Sequence, residues 1–260
     1  MFTFFHAIIL GLVEGITEFL PVSSTGHLIL TTEALSLVST DFVKSFEIFI
    51  QLGAILAVLV LYWKKLLLNS IIFKRVAVAF IPTAIIGLLV YGVVKTHLLG
   101  NISVVLWSLA IGGVLLIAFE FFYKKRTSQN SVTSELESIT YTQAFTIGLF
   151  QSIAIIPGVS RSASTIVGGL LLGLSRQAIV EFSFMLAIPT MAAAVGLDLL
   201  KSGLAFSSKE TGLLAVGFVT AFVSALLAVQ FLLRFVKNHT FTSFGIYRII
   251  LVVVFLFVIM

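Results

Sequence analysis

Two carboxylates, an imidazole and a guanidinium stand in stretches of this chain that are otherwise apolar. Glu14 and Glu18 lie four residues apart in an apolar run, a spacing that puts both on one face of a helix. Ser23-Ser24-Thr25-Gly26-His27 follows directly after Pro21 and Val22 and offers three hydroxyls and an imidazole. Far along the chain, Pro157-Gly158-Val159-Ser160-Arg161-Ser162 interrupts a second apolar region, with Ser164 and Thr165 just beyond. An ionisable side chain inside a membrane segment is costly and by default marks a functional site. A guanidinium there needs an anion, and its planar donor fork suits phosphate oxygens. A half-helix starting near Ser160 aims its free N–H groups and positive dipole end at the same place. Brought together, these groups suit phosphoryl transfer. Arg161 and the amides would hold the phosphate oxygens and the charge spread over them in the transition state. A hydroxyl or water would attack, assisted by His27 or a carboxylate. Two carboxylates beside an anionic substrate are in conflict with it. A divalent cation, Mg²⁺ or Ca²⁺, held by Glu14 and Glu18 would resolve the conflict, as would protonation of one of them.

Each of these residues also has a plainer use. Ser23 or Thr25 can cap a helix after Pro21. Arg161 can pair with Glu14 or Glu18 and do no more than hold two segments together. Glu47 and Gln51 share a helical face and are weaker candidates for the cavity. Glu33, Glu120, Glu181 and Asp198 fall near segment ends, where snorkelling accounts for them.

The elements that must position the site are membrane helices. Of 260 residues, 59% are hydrophobic and 10% charged, whereas a soluble domain is about one quarter charged and under half apolar. This excludes a water-soluble globule, a disordered chain and a nucleic-acid binder. The apolar runs are long and unbroken, so the class is all-α and not a barrel of short alternating strands. With no cysteine there is no disulfide and no thiolate metal site. Runs near 46–62, 76–94, 103–122, 179–200, 211–233 and 246–260 predict six full spans. The regions 2–32 and 141–174 are each broken by one of the polar patches above. Non-helical backbone is tolerated at membrane depth only where protein or a water-filled cavity satisfies it. Each is therefore read as a re-entrant hairpin of two half-helices, with a full crossing broken in the middle as the alternative.

The basic clusters Lys64-Lys65, Lys74-Arg75 and Lys124-Lys125-Arg126 mark inner ends of spans, which puts both termini outside. The halves resemble each other: GLVEGIT at 11–17 aligns with GLFQSIA at 148–154, and at the same shift Val22-Ser23 falls on Val159-Ser160. Three spans in the first half invert the second. The expected architecture is one membrane domain, 1–260, of inverted repeats at about 1–123 and 141–260, joined by a polar loop, 124–140.

Glu14-x-x-x-Glu18 followed by Leu20-Pro-Val-Ser-Ser-Thr-Gly-His27 resembles the first signature of undecaprenyl-diphosphate phosphatases, the bacitracin-resistance family. Pro157-Gly-Val-Ser-Arg-Ser-Ala-Ser-Thr165 is similar to their second, PGxSRSxxT, and the likeness extends over the whole chain. The resemblance implies a multi-pass enzyme of the bacterial cytoplasmic membrane. It would remove one phosphate from undecaprenyl diphosphate, recycling the carrier for peptidoglycan synthesis, with its site open to the outer side. Glu14, Glu18, Ser24, His27, Ser160, Arg161, Ser162 and Thr165 carry over as site residues by position. Within the set, Ser24 is read as nucleophile, with His27 and Glu18 for proton transfer; attack by water or by His27 is the alternative. Ser23, Thr25 and Gln51 join Ser160, Ser162 and Thr165 as substrate-binding candidates. The partners expected are the polyprenyl diphosphate, membrane lipids and, as one assembly the sequence allows, a second copy in a homodimer. The competing function is a transporter or flippase of a phosphorylated lipid or small anion. Such a carrier needs Arg161 but has little use for a nucleophile beside a base.

Overall fold

The computed structural model describes residues 2–98, 100–126, 135–202 and 207–258. Among these residues there are ten α-helices and no β-strand. In chain order they are α1 (Phe4–Thr17), α2 (Ser24–Ala34), α3 (Asp41–Trp63), α4 (Ser70–Val93), α5 (Ile102–Arg126), α6 (Tyr141–Ser152), α7 (Arg161–Leu171), α8 (Arg176–Ser202), α9 (Ser208–Phe235) and α10 (Thr242–Val258). A π-helical turn, Lys64–Leu68, lengthens α3. Five helices are long and apolar enough to cross a membrane: Asp41–Leu68, Ser70–Val93, Ile102–Tyr123, Arg176–Leu197 and Ser208–Phe235. The last expected span is α10, whose 17 residues stand at the short end of a crossing; 259–260 lie outside the described residues. The chain is an all-α, multi-pass membrane protein. Of the expected polar loop, 127–134 lies outside the described residues, and its flanks are the end of α5 and a 3₁₀ turn, Leu136–Ser138.

Both interrupted regions fold as helix, break and helix. The first break separates α1 from α2, and the second, after one 3₁₀ turn at Ile153–Ile155, separates α6 from α7. The packing of the halves is parallel in form: α1 lies on α9 and α6 lies on α4, while α3 meets α8 and α5 meets α10. Small residues allow the close approach that membrane helices use in place of a hydrophobic drive. A methyl group on Gly11 would stand 2.7 Å from the Gly217 carbonyl oxygen of α9, and one on Gly148 would run into the Ala79 carbonyl of α4. Phe46 and Phe182 are both fully buried. At the first break the Phe19 ring meets the Phe184 ring of α8 edge to face at 5.5 Å, within an apolar cluster that both halves of the chain share.

Two of the acidic residues expected to snorkel do not. Glu120 is buried, paired with Arg176 (2.7 Å to Oε2) and accepting from the Phe241 amide (2.8 Å). Glu181 is buried and paired with Lys65 at 2.7 Å. Each takes a cation from another helix, so neither must reach water. Glu33 is exposed, as expected.

Candidate active site

The site is made by the two breaks. Helix α1 stops at Thr17, yet Glu18 keeps helical backbone and donates its N–H to the Glu14 carbonyl (2.9 Å). The chain then turns through Pro21 and Val22 to Ser23, whose φ of 73° and ψ of 93° lie outside the usual regions. Its Oγ accepts from the Gly26 amide at 3.4 Å, starting α2. Ser160 repeats this device, with φ 74° and ψ 111°, and its Oγ accepts from the Ala163 amide at 3.2 Å to start α7. Such backbone costs about 1–3 kcal/mol per residue and persists where its surroundings over-determine it. Between them Gly158, at φ +92°, leaves no room for a side chain against Ser108 and the Val105 carbonyl of α5.

The tips touch. Arg161 Nη2 donates to Glu18 Oε1 at 3.1 Å, and Ser24 Oγ donates to the other oxygen of the same carboxylate. Arg161 Nη1 donates to the Ser183 carbonyl of α8 at 2.8 Å, and Ser162 Oγ to the Phe19 carbonyl at 2.9 Å. A cavity of about 220 Å³ opens beside this junction. Glu18, Ser23, Ser24, Thr25 and Gln51 line it from the first half, Ser160 and Arg161 from the second.

Four of the expected site residues stand behind that wall. Glu14 is 0% exposed, and both its carboxylate oxygens are without a hydrogen-bond partner. Glu18, Glu47 and Arg161 act on it electrostatically. His27 is buried, with Nδ1 at 2.8 Å from the Ser23 carbonyl and Nε2 at 2.8 Å from the Tyr247 hydroxyl of α10. The His27 and Tyr247 rings stack at 5.5 Å. Ser162 and Thr165 are buried in helix contacts; Thr165 Oγ1 bonds the Arg161 carbonyl (3.1 Å) and Ser183 Oγ (2.6 Å). Among the described residues no group of three or more His, Asp or Glu side chains is placed to hold a metal ion. Glu14 and Glu18 are hard oxygen donors, and the orphaned oxygens of Glu14 would suit a hard cation such as Mg²⁺.

The family model described as "Bacitracin resistance protein BacA" matches residues 7–254. The chain belongs to this family. It is 52% identical over 249 residues to the "Undecaprenyl-diphosphatase" of Aquifex aeolicus, covering 96% of each chain. It is 53% identical over 254 residues to that of Wolinella succinogenes, covering 97% of each. The relative from Persephonella marina is 52% identical over 251 residues, covering 96% of this chain and 97% of its own.

This BacA chain places at its centre residues that motif reading passes over. Arg248 of α10 is 0% exposed; Nη2 donates to the carbonyls of Gly158 (2.8 Å) and Ser108 (3.0 Å), and both terminal nitrogens approach the Val159 carbonyl at 3.4 Å. Tyr247 and Arg248, adjacent in sequence, thus hold His27 behind one break and the backbone of the other. The signal is in the chain: Arg248 is the single charge in the run 246–260, and the rule that singles out Arg161 applies to it equally. Arg248→Met is expected to leave buried carbonyls without donors and to lower stability by about 1–3 kcal/mol. Thermal unfolding of the detergent-solubilised protein checks this; an unchanged midpoint would show that the second break holds its shape alone.

Proposed function

We propose that this chain hydrolyses undecaprenyl diphosphate to undecaprenyl phosphate and inorganic phosphate. The observation that carries the reading is the junction of Arg161, Glu18 and Ser24 on one cavity wall. It joins an anion-binding group, a base and a hydroxyl from positions 143 residues apart. The terminal phosphate enters beside Arg161 and accepts from its guanidinium. Ser24 Oγ attacks phosphorus, and its proton passes to the Glu18 oxygen that already accepts it. The bond to the bridging oxygen breaks and the lipid monophosphate leaves. Water then releases phosphate from Ser24. Direct attack by water is the variant of the same chemistry. Both ring nitrogens of His27 are engaged, so Glu18 stands ahead of it for the proton, and His27 braces the turn that presents Ser24. A divalent cation would be held by Glu14 and Glu18, and would screen the charge of the substrate.

The reading places the protein in the bacterial cytoplasmic membrane as an inverted repeat, with the cavity toward the outer side and the product serving again as carrier in cell-wall synthesis. The inner bias of the basic clusters supports this orientation. The paired packing of α1 on α9 and α6 on α4 supports the repeat.

Purified protein in detergent, given polyprenyl diphosphate and Mg²⁺, is expected to release inorganic phosphate. Release should stop with a chelator and return with Mg²⁺ or Ca²⁺. Release that continues unchanged under chelation would remove the cation from the proposal. Absence of release with every divalent ion would remove the phosphatase.

A further inference from the structure

The second half supplies the cavity wall with a polar group that the mechanism above leaves idle. Gln151 of α6 lines the cavity together with Thr83 of α4 and Thr190 of α8. It is 1% exposed. Its Nε2 donates to Thr83 Oγ1 at 2.9 Å and to Thr190 Oγ1 at 3.0 Å. The threonine hydrogens are spent in turn: Thr83 donates to the Gly148 carbonyl (3.0 Å) and Thr190 to that of Leu186 (2.8 Å). The same tripeptide, Ile-Pro-Thr at 81–83 and 188–190, delivers both hydroxyls.

In this network the amide turns its Nε2 to the two hydroxyls. Turned over, the Gln151 carbonyl would find hydrogens only if the threonine hydroxyls left the Gly148 and Leu186 carbonyls. Its Oε1 is therefore the free end, and it is buried without a hydrogen-bond partner. A buried acceptor without a donor is costly and asks for an explanation. The partner must be a donor. The oxygens of a diphosphate are acceptors at neutral pH, and a polyprenyl tail brings neither donor nor acceptor. The one donor that hydrolysis consumes is water.

We infer that Gln151 Oε1 accepts a hydrogen bond from the hydrolytic water and orients it in the cavity lined by Arg161 and Glu18. The inference rests on reading that cavity as the phosphatase site. The water oxygen bonds to the terminal phosphorus as the bond from phosphorus to the leaving oxygen breaks. One water proton stays on the new phosphate and the other passes to Glu18. The Gln151 amide is not basic and takes none. Where Ser24 first carries the phosphoryl group, the leaving oxygen is Ser24 Oγ, which recovers its proton from Glu18.

Partition between two acceptors tests the inference. The full-length protein in detergent is given polyprenyl diphosphate in water containing methanol, and phosphate and methyl phosphate are separated by ³¹P NMR. Gln151→Met keeps length and loses the acceptor. It is expected to lower kcat by about 100-fold with KM little changed, and to raise the ratio of methyl phosphate to phosphate. Gln151→Glu, which keeps an acceptor, should return the ratio toward that of the unaltered protein. If Gln151→Met fails to fold, Thr190→Val frees the amide to turn and should shift the ratio in the same direction. A lowered kcat with an unchanged ratio, or a kcat within threefold of the unaltered enzyme, overturns the inference. Arg161→Ala, run beside it, separates the two levels. If Arg161→Ala is inactive while Gln151→Met behaves as the unaltered protein, the water assignment alone falls. If Arg161→Ala is fully active, the cavity is not the site and both fall.

Discussion

Arg161→Ala is expected to lower kcat/KM on polyprenyl diphosphate by on the order of 10²–10³, about 3–4 kcal/mol of transition-state stabilisation. The guanidinium is held on three sides, by Glu18, by the Ser183 carbonyl and, at 5.8 Å, by the face of Phe19. It is therefore already placed when substrate arrives, and little reorganisation opposes its use. Arg161→Lys should recover little, because an ammonium cannot span the Glu18 carboxylate and the α8 carbonyl while also meeting a phosphate. Removing the guanidinium also leaves the half-buried Glu18 carboxylate without its cation, so part of the loss will be in stability. The double variant Arg161→Ala, Glu18→Gln separates the two: it should restore the unfolding midpoint and not the turnover. Near-normal turnover by purified, folded Arg161→Ala would show that the phosphate is bound elsewhere.

The sequence exposes this site because its background is apolar. Where charged residues are so sparse, Glu18 and Arg161 are conspicuous, and the proline-containing patches beside them announce breaks in the helices. The repeat is legible for the same reason. The shift of 137 residues that aligns Ser23 with Ser160 is matched in the backbone, where both serines carry the same positive φ and both begin a helix.

What stays illegible is depth and partnership across helices. Glu14 and Glu18 share a helical face, but only Glu18 lines the cavity, and Glu14 lies buried one turn behind it. His27 carries the same apparent promise as Ser24 in the motif. Its ring is turned to Tyr247, 220 residues away, a contact that no local pattern encodes. Glu120 and Glu181 sit near segment ends, where water explains an acid just as well as a cation from a neighbouring helix does. Gln151 is the instructive case. It is neutral, so it raises no alarm in an apolar run. Yet it occupies the place of Glu14 in the aligned halves, and the two Ile-Pro-Thr segments that hold its amide are visible in the chain. A polar residue earns its meaning there from where its hydrogens go, which is a property of three helices together.

Ser24→Ala is expected to reduce turnover by on the order of 10⁴–10⁶, the scale on which loss of a nucleophile is felt. The geometry behind this expectation is the hydrogen bond from Ser24 Oγ to Glu18, which gives the hydroxyl its base, and the position of Ser24 in the first turn of α2, where free amides and the helix dipole favour an anionic group. The fold should tolerate the change, because the cap of α2 belongs to Ser23 and not to Ser24. If water attacks directly, Ser24 supplies no more than a hydrogen bond to a charged group. Its loss would then cost about 1.5–3 kcal/mol, or roughly 10- to 150-fold. The two outcomes do not overlap. Rapid quenching of substrate labelled in the terminal phosphate adds a second reading: an acid-stable phosphoserine at Ser24 appears before free phosphate on the nucleophilic route and is absent on the other. A loss of only tenfold together with no labelled protein would move the attacking oxygen from Ser24 to water, while leaving Arg161 and Glu18 in their places.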